Sequence, residues 1–250
     1  MKGTNPALPQ PPSALGPVGP GDPAAAAPDD PVRRLARLDC CAVSDSMDKL
    51  GIAGQVASGL EQRATTRRIA GRALTFRLVP ADQAPKADGP PRHLGTTAIE
   101  RSRPGDVIVV EQRTGIDAGS WGGILTLGAK LRGVAGVVVD GPVRDIDEAR
   151  AYDFPVYCRA LTARTARGRV AEAEVNGPVN VAGVVVAPGD FVLADAGGVA
   201  IVPAADIDRV LDAAEEIFAR EAAMAKALLD GAPIGQVMGA SYEHMLKREP

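Results

Sequence analysis

Arg144, Asp145 and Glu148 form an Arg-Asp-x-x-Glu run directly after a glycine-punctuated apolar stretch, VAGVVVDGPV. A guanidinium stays protonated and offers a planar fork of donors that suits a carboxylate. Asp145 beside it can hold a hard, oxygen-preferring cation, and Glu148 follows one helical turn later. Upstream, Trp121-Gly122-Gly123-Ile124-Leu125 opens an apolar segment that reads as a helix, whose first backbone N–H groups suit an anion. An anion cradle next to a metal-binding carboxylate is the equipment of a lyase. Each residue also has a plainer use. Arg144 could be a surface ion pair, and Asp145 the N-cap of a helix starting at Ile146. Glu148 could be a first-turn acid favoured by the helix dipole, and Trp121 could pack in the core.

The elements that must position these residues alternate between strand and helix. Val32–Leu38 and Cys41–Leu50 read as short helices, the second with Ser44 or Asp45 near its cap. Gly71–Val79 alternates as a strand, Ala81–Arg92 is a polar loop, and His93–Arg101 a helix. Further strands are expected at Val107–Glu111, Val134–Asp140, Val156–Cys158, Ala182–Val186, Phe191–Ala194 and Val199–Val202. The strand at Val134–Asp140 should empty into a tight Gly141-Pro142 turn. A long amphipathic helix follows over Asp206–Leu229, with Ile207, Val210, Leu211 and Ile217 on its apolar side. This alternation indicates an α/β fold.

Bulk properties narrow the function classes. A chain of 250 residues suits one main domain with a substantial core. Its net charge of −3 argues against a nucleic-acid partner, which calls for a basic face. Three cysteines, two adjacent, make no disulfide framework and suit a reducing compartment as core thiols. No apolar run approaches the roughly 18 residues of a membrane span, and the N-terminus lacks a signal peptide's apolar region. The expectation is a cytoplasmic protein with no membrane partner. Residues 1–31 are rich in Pro, Ala and Gly and short of large apolar side chains, so they read as a disordered tail. Residues 32–230 form the domain, and 231–250 a C-terminal extension.

The segment from Trp121 to Glu148, followed by FPVYCR, resembles the RraA-like family. VSDSMDKLG (Val43–Gly51), GRALTF (Gly71–Phe76), RPGDVIVV (Arg103–Val110) and PGDFVLADAGGVAIVP (Pro188–Pro203) add to the resemblance, which spans about Leu38 to Ile217. That family includes 4-hydroxy-4-methyl-2-oxoglutarate and 4-carboxy-4-hydroxy-2-oxoadipate aldolases and regulators of ribonuclease activity. It implies a swivelling β/β/α sandwich assembled as a homotrimer or dimer of trimers. It also implies a metal-dependent class II lyase that cleaves a 4-hydroxy-2-oxo dicarboxylate to pyruvate and a second oxo acid, or decarboxylates oxaloacetate. Arg144 would bind the pyruvyl carboxylate and C2 oxygen, Asp145 would ligate Mg²⁺ or Mn²⁺, and Glu148 would assist catalysis. Backbone N–H groups of Gly122, Gly123, Ile124 and Leu125 would hold the small 2-oxo acid.

The chain departs from the aldolases at one place. They carry an acidic residue where this sequence has Gly123, and Asp117 could substitute if its loop folds back. Restoring an acid through Gly123→Asp would then be expected to tighten metal binding. Lys130, two turns along the helix from Gly123, would be the lysine of an imine route, which is disfavoured because the resemblance implies a metal-dependent mechanism. His93 and His244 lack zinc spacing. Asp190 and Asp195 read as turn acids, Asp195 near a subunit interface. The alternative function is a non-enzymatic regulator that binds an RNA-degrading complex. A methyltransferase is disfavoured, since no glycine loop follows a first strand to seat S-adenosylmethionine.

Overall fold

The computed structural model describes residues 30–52, 55–85 and 92–239. Residues 1–29 of the expected tail, His244 and the far end of the C-terminal extension lie outside the described residues, while Asp30 and Pro31, also assigned to the tail, cap and open the first helix. Helices α1 (Pro31–Leu35) and α2 (Cys40–Lys49) lead into the short strands β1 (Val56–Ala57) and β2 (Glu61–Gln62). The long β3 (Ile69–Pro80), α3 (Thr96–Arg101), β4 (Val107–Glu111) and α4 (Gly123–Leu131) follow. Next come β5 (Gly136–Val143), α5 (Ile146–Ala151), β6 (Val156–Leu161) and β7 (Val170–Val175). The hairpin β8 (Val179–Val181) and β9 (Val184–Val186) precedes β10 (Phe191–Asp195), β11 (Gly198–Val202), α6 (Ile207–Leu229) and α7 (Ile234–Val237).

The strand order is β1-β11-β10-β3-β4-β5-β6-β2, with β7 also on β3 and the β8–β9 hairpin separate. Pairing is parallel from β3 through β6 and antiparallel elsewhere. β3 belongs to both halves, because Ile69–Arg72 pairs with β10 and Ala73–Arg77 with β4. The period-two alternation of strand side chains sorts the core into layers. Ile108, Val110, Val137 and Val139 pack with Leu125, Ala129 and Ala149 of the helices on one face. Val107, Val109 and Val138 turn to the other face, against Val181, Val184, Val192 and Ile201. Beyond β10 and β11, Phe191, Leu193, Ala200 and Val202 meet α1, α2 and the first half of α6. Both faces of β4 and β5 are covered, which is why these strands read as continuous apolar runs. Fully burying each such valine contributes roughly 1.5–3 kcal/mol. The result is the expected α/β sandwich.

Several expected boundaries move. Asp39, not Ser44 or Asp45, caps α2, accepting the Ala42 N–H at 2.8 Å. The expected Ala182–Val186 strand is one arm of the hairpin: Ala182 sits in its turn at φ 51°, and the partner arm was unforeseen. β5 does not stop at Asp140 in a tight turn but runs to Val143. It does so through a bulge that sets Asp140 and Gly141 of β5 against Arg159 of β6. Among the described residues, no helix is long and apolar enough to cross a membrane.

Candidate active site

The end of β5 carries Pro142, Val143 and Arg144 past the loop that leads into α4. Two backbone bonds stitch these segments together: Ser120 N–H to Pro142 O at 2.8 Å, and Arg144 N–H to Trp121 O at 3.0 Å. Trp121 itself is buried, donates its indole N–H to Thr126 Oγ at 2.9 Å, and lines the cleft. It is core and pocket wall at once. Gly122 caps α4, and the helix's own bonding begins at Thr126 N–H to Gly122 O. The N–H groups of Ile124 and Leu125 therefore have no intrahelical partner, as at any helix start.

Asp145 stands at φ 56°, ψ 38°, left-handed backbone that few non-glycine residues adopt. The conformation turns its carboxylate away from its own helix, which receives no side-chain cap from it. Asp145 Oδ2 instead accepts the Gly123 N–H of α4 at 3.1 Å, and both carboxylate oxygens lie 3.2 Å from Arg144 Nε. Strained backbone of this kind concentrates at functional sites.

The glycines make room for these charged groups. A β-carbon on Gly119 would meet Arg144 Cγ at 2.8 Å, and one on Gly122 would meet Asp145 Oδ2 at 2.9 Å. One on Gly123 would lie 1.7 Å from Glu148 Oε2. Two carboxylates and a guanidinium thus converge on the first residues of α4. The cleft they border has a volume of about 140 Å³, the size of a small acid, and is lined as well by His93, Ile124 and Thr165.

Each expected site residue has a definite place. Gly122, Gly123, Ile124, Leu125, Arg144 and Asp145 line the cleft, and Glu148 closes over Gly123. The Gly123 N–H is already engaged by Asp145. Asp117 does not fold back to stand in for an acid at position 123: it pairs with Arg164 at 3.2 Å and lines a different hollow. Lys130 sits at the other end of α4 and donates to Tyr152 O. Asp190 is the expected turn acid, accepting the N–H groups of Ala187 and Ala204. Asp195 accepts the Cys40 N–H within the chain. Sequence reasoning did not place His93 at the cleft. The positioning device is Glu172 of β7, whose carboxylate accepts the Gly95 N–H at 2.8 Å and whose acidity is weakened by burial.

A divalent cation fits the donor set in one form only. Among the described residues, no group of three His, Cys, Asp or Glu side chains could hold a metal. That disfavours a protein-caged zinc. Two oxygen donors, Asp145 and Glu148, at one helix start suit a cation such as Mg²⁺ that keeps most of its water.

Residues 40–201 match the family model described as RraA-like, Aldolase/RraA. The Legionella pneumophila protein DlpA is 28% identical over 82% of this chain; the match spans only 32% of that relative's length. A Thermus thermophilus protein named 4-hydroxy-4-methyl-2-oxoglutarate aldolase is 35% identical over 54% of this chain and 76% of its own. The crystal structure of Streptomyces coelicolor RraAS2, described as an unusual member of the RNase ES inhibitor RraA family, superposes with a TM-score of 0.68. It is 28% identical and covers 76% of this chain and 93% of its own. With the family model matching well over half of its length, this chain belongs to the RraA-like family.

Proposed function

We propose that the cleft is the active site of a divalent-metal-dependent carbon–carbon lyase acting on a short 2-oxo acid. It would cleave a 4-hydroxy-2-oxo dicarboxylate to pyruvate and a second oxo acid, and would also decarboxylate oxaloacetate. The observation that carries this reading is the meeting of Arg144, Asp145 and Glu148 over Gly122 and Gly123 at the start of α4. A pure binding surface has no chemical need for that combination. The substrate carboxylate would take the unpaired N–H groups of Ile124 and Leu125 and one arm of Arg144. The other arm would reach the C2 oxygen. As the C3–C4 bond breaks, its electron pair moves onto that oxygen, and a fixed guanidinium stabilises the charge where it develops. Oxaloacetate loses CO₂ through the same enolate.

Asp145 would hold Mg²⁺ or Mn²⁺, with Glu148 alongside. When bound, the ion would supply Lewis-acid polarisation of the 2-oxo group. The 4-hydroxyl proton needs a base, and His93 in the cleft lining and Glu148 over Gly123 are the side chains proposed for it. The exposed Ile124 at the cleft and Leu131 at the far end of α4, 80% and 68% accessible, give a homotrimer or a dimer of trimers apolar surface to cover.

The second reading, a regulator of an RNA-degrading complex, draws support from the likeness to the Streptomyces protein. Pyruvate release over a panel of 4-hydroxy-2-oxo acids and oxaloacetate, with and without Mg²⁺, separates the two. Metal-dependent turnover of any member supports the lyase. No release from the whole panel favours the regulator.

A further inference from the structure

A second hollow, which shares no lining residue with the cleft, opens where the parallel strands β4, β5 and β6 end. Carboxyl ends of parallel strands are where open α/β sheets place ligands. Its volume is about 760 Å³, enough for the body of an organic molecule. The β5 bulge builds its floor by setting Asp140 against Arg159. Asp140 is 2% exposed and fully partnered. Its Oδ1 accepts Arg159 Nε at 2.6 Å, and its Oδ2 accepts the Ala182 N–H of the strained hairpin turn at 2.7 Å. Arg113, just past β4, approaches the same carboxylate with Nε at 3.8 Å and donates Nη1 to Asn180 Oδ1 at 2.5 Å. Gln112, 3% exposed, is fixed by bonds to Ile116 O and Ala118 O.

This arrangement holds two guanidinium groups without using them up. Asp140 grips Arg159 by its inner nitrogen, and neither terminal nitrogen of Arg159 donates to another described residue. Arg113 likewise commits one terminal nitrogen and keeps the other. Glu111, the strand partner of Asp140, accepts the Asn180 N–H at 2.6 Å beside Arg113, so the two guanidinium charges are balanced by two carboxylates, and Asp117 at the rim is matched by Arg164. With the local charge balanced, two planar forks suit a singly charged carboxylate better than a phosphate dianion. Ile116, Pro142 and Ala160 line the rest of the hollow with apolar surface.

We infer that this hollow is a second binding site, for the carboxylate of a small organic acid with an apolar body, held between Arg113 and Arg159. It is independent of the lyase cleft. The test is a ligand-observed NMR titration with benzoate on the wild-type protein, Arg113→Gln and Arg144→Gln, with inorganic phosphate as a second probe. Losing a charge-assisted fork contact should weaken benzoate binding about tenfold or more in Arg113→Gln. Arg144→Gln should leave the Arg113-dependent binding unchanged, whatever benzoate it removes from the cleft. Arg159→Gln would strand the buried Asp140 and endanger the fold, so Arg159→Lys is the second variant and should weaken binding with the melting temperature retained. The inference is overturned by absence of saturable binding, by binding that depends on Arg144 but not Arg113, or by phosphate binding as tightly as benzoate at the Arg113 site. Because the cleft is read separately through Arg144 and pyruvate release, either site can fail without the other.

Discussion

The carboxylate of Glu148 occupies the space over Gly123, with Oε2 lying 1.7 Å from where a β-carbon on that glycine would stand. The position where the family resemblance implies an acid is therefore not vacant here, because Glu148 from α5 already fills it. Gly123→Asp would not simply add a missing carboxylate, as the sequence suggested, but would push Glu148 out. Since Glu148 is an exposed, flexible side chain, the fold should survive. The expected outcome for Gly123→Ala is a melting temperature close to wild type. Mg²⁺ dependence of pyruvate release should shift by roughly 10–100-fold, the usual cost of disturbing groups that support a metal ligand. A Mg²⁺ titration of both proteins checks it, and an unchanged titration would remove Glu148 from the site.

Much of this site was legible in the chain. Arg144, Asp145 and the Gly122-Gly123 helix start follow from residue types and order, and β4 and β5 announce themselves as apolar runs buried on both faces. What escaped depends on juxtapositions that no spacing encodes. Asp145 is the N-cap residue of α5, as residue order suggests, but its side chain bonds the start of α4 because β5 delivers it beside Gly123 in left-handed backbone. The Gly141-Pro142 pair looked like a turn because both residue types favour turns, yet it lies in and beside a bulge that β6 tolerates. That bulge also creates the Asp140–Arg159 contact between residues far apart in sequence. His93 was invisible because Glu172, on an unforeseen strand, holds its loop.

The three cysteines, all expected in the core, should divide by reactivity. Cys40 and Cys158 are buried and Cys41 is exposed. Burial pushes the Cys40 thiol up to about 12 and the Cys158 thiol to about 11, leaving almost no thiolate near neutrality. A disulfide-exchange reagent at pH 8 should titrate one thiol in the native protein and all three after denaturation. Cys41→Ser should remove the native reaction.

Arg34 joins α1 to α6 by donating to Glu215 Oε1 and Oε2 at 2.8 Å each and to Asp212 at 2.6 Å. The Arg34 hydrogen bonds hold the Glu215 carboxyl below its usual range. A depressed folded value means the stabilisation is present above the unfolded value, about 4.3. It fades as pH falls through the lower folded value. Glu215 is 43% exposed, so screening limits its share to about 1 kcal/mol or less. Arg34→Gln should lower the melting temperature at pH 7 by about 2–4 °C at most. The gap should narrow below pH 4, as thermal melts across that range would show.

Lys130 is bonded to Tyr152 O at the end of α4 away from the cleft, and among the described residues no lysine lines the cleft. Borohydride added with pyruvate should leave the protein active and Lys130 unlabelled by mass spectrometry. EDTA should abolish turnover, and Mg²⁺ or Mn²⁺ should restore it. Covalent labelling of Lys130 with loss of activity would contradict the metal mechanism.

Turnover by Arg144→Lys on the best substrate of the pyruvate-release panel decides whether Arg144 takes part in the chemistry. Lysine keeps the charge but cannot bridge the carboxylate and the C2 oxygen with two parallel donors. The account predicts a fall in kcat on the order of 10²–10³, the cost of losing one fixed donor to a developing oxyanion. The melting temperature should stay near wild type, because Arg144 is only half-buried and its ion partner is its own neighbour. A fully active Arg144→Lys protein would contradict the account and reduce Arg144 to a surface ion pair.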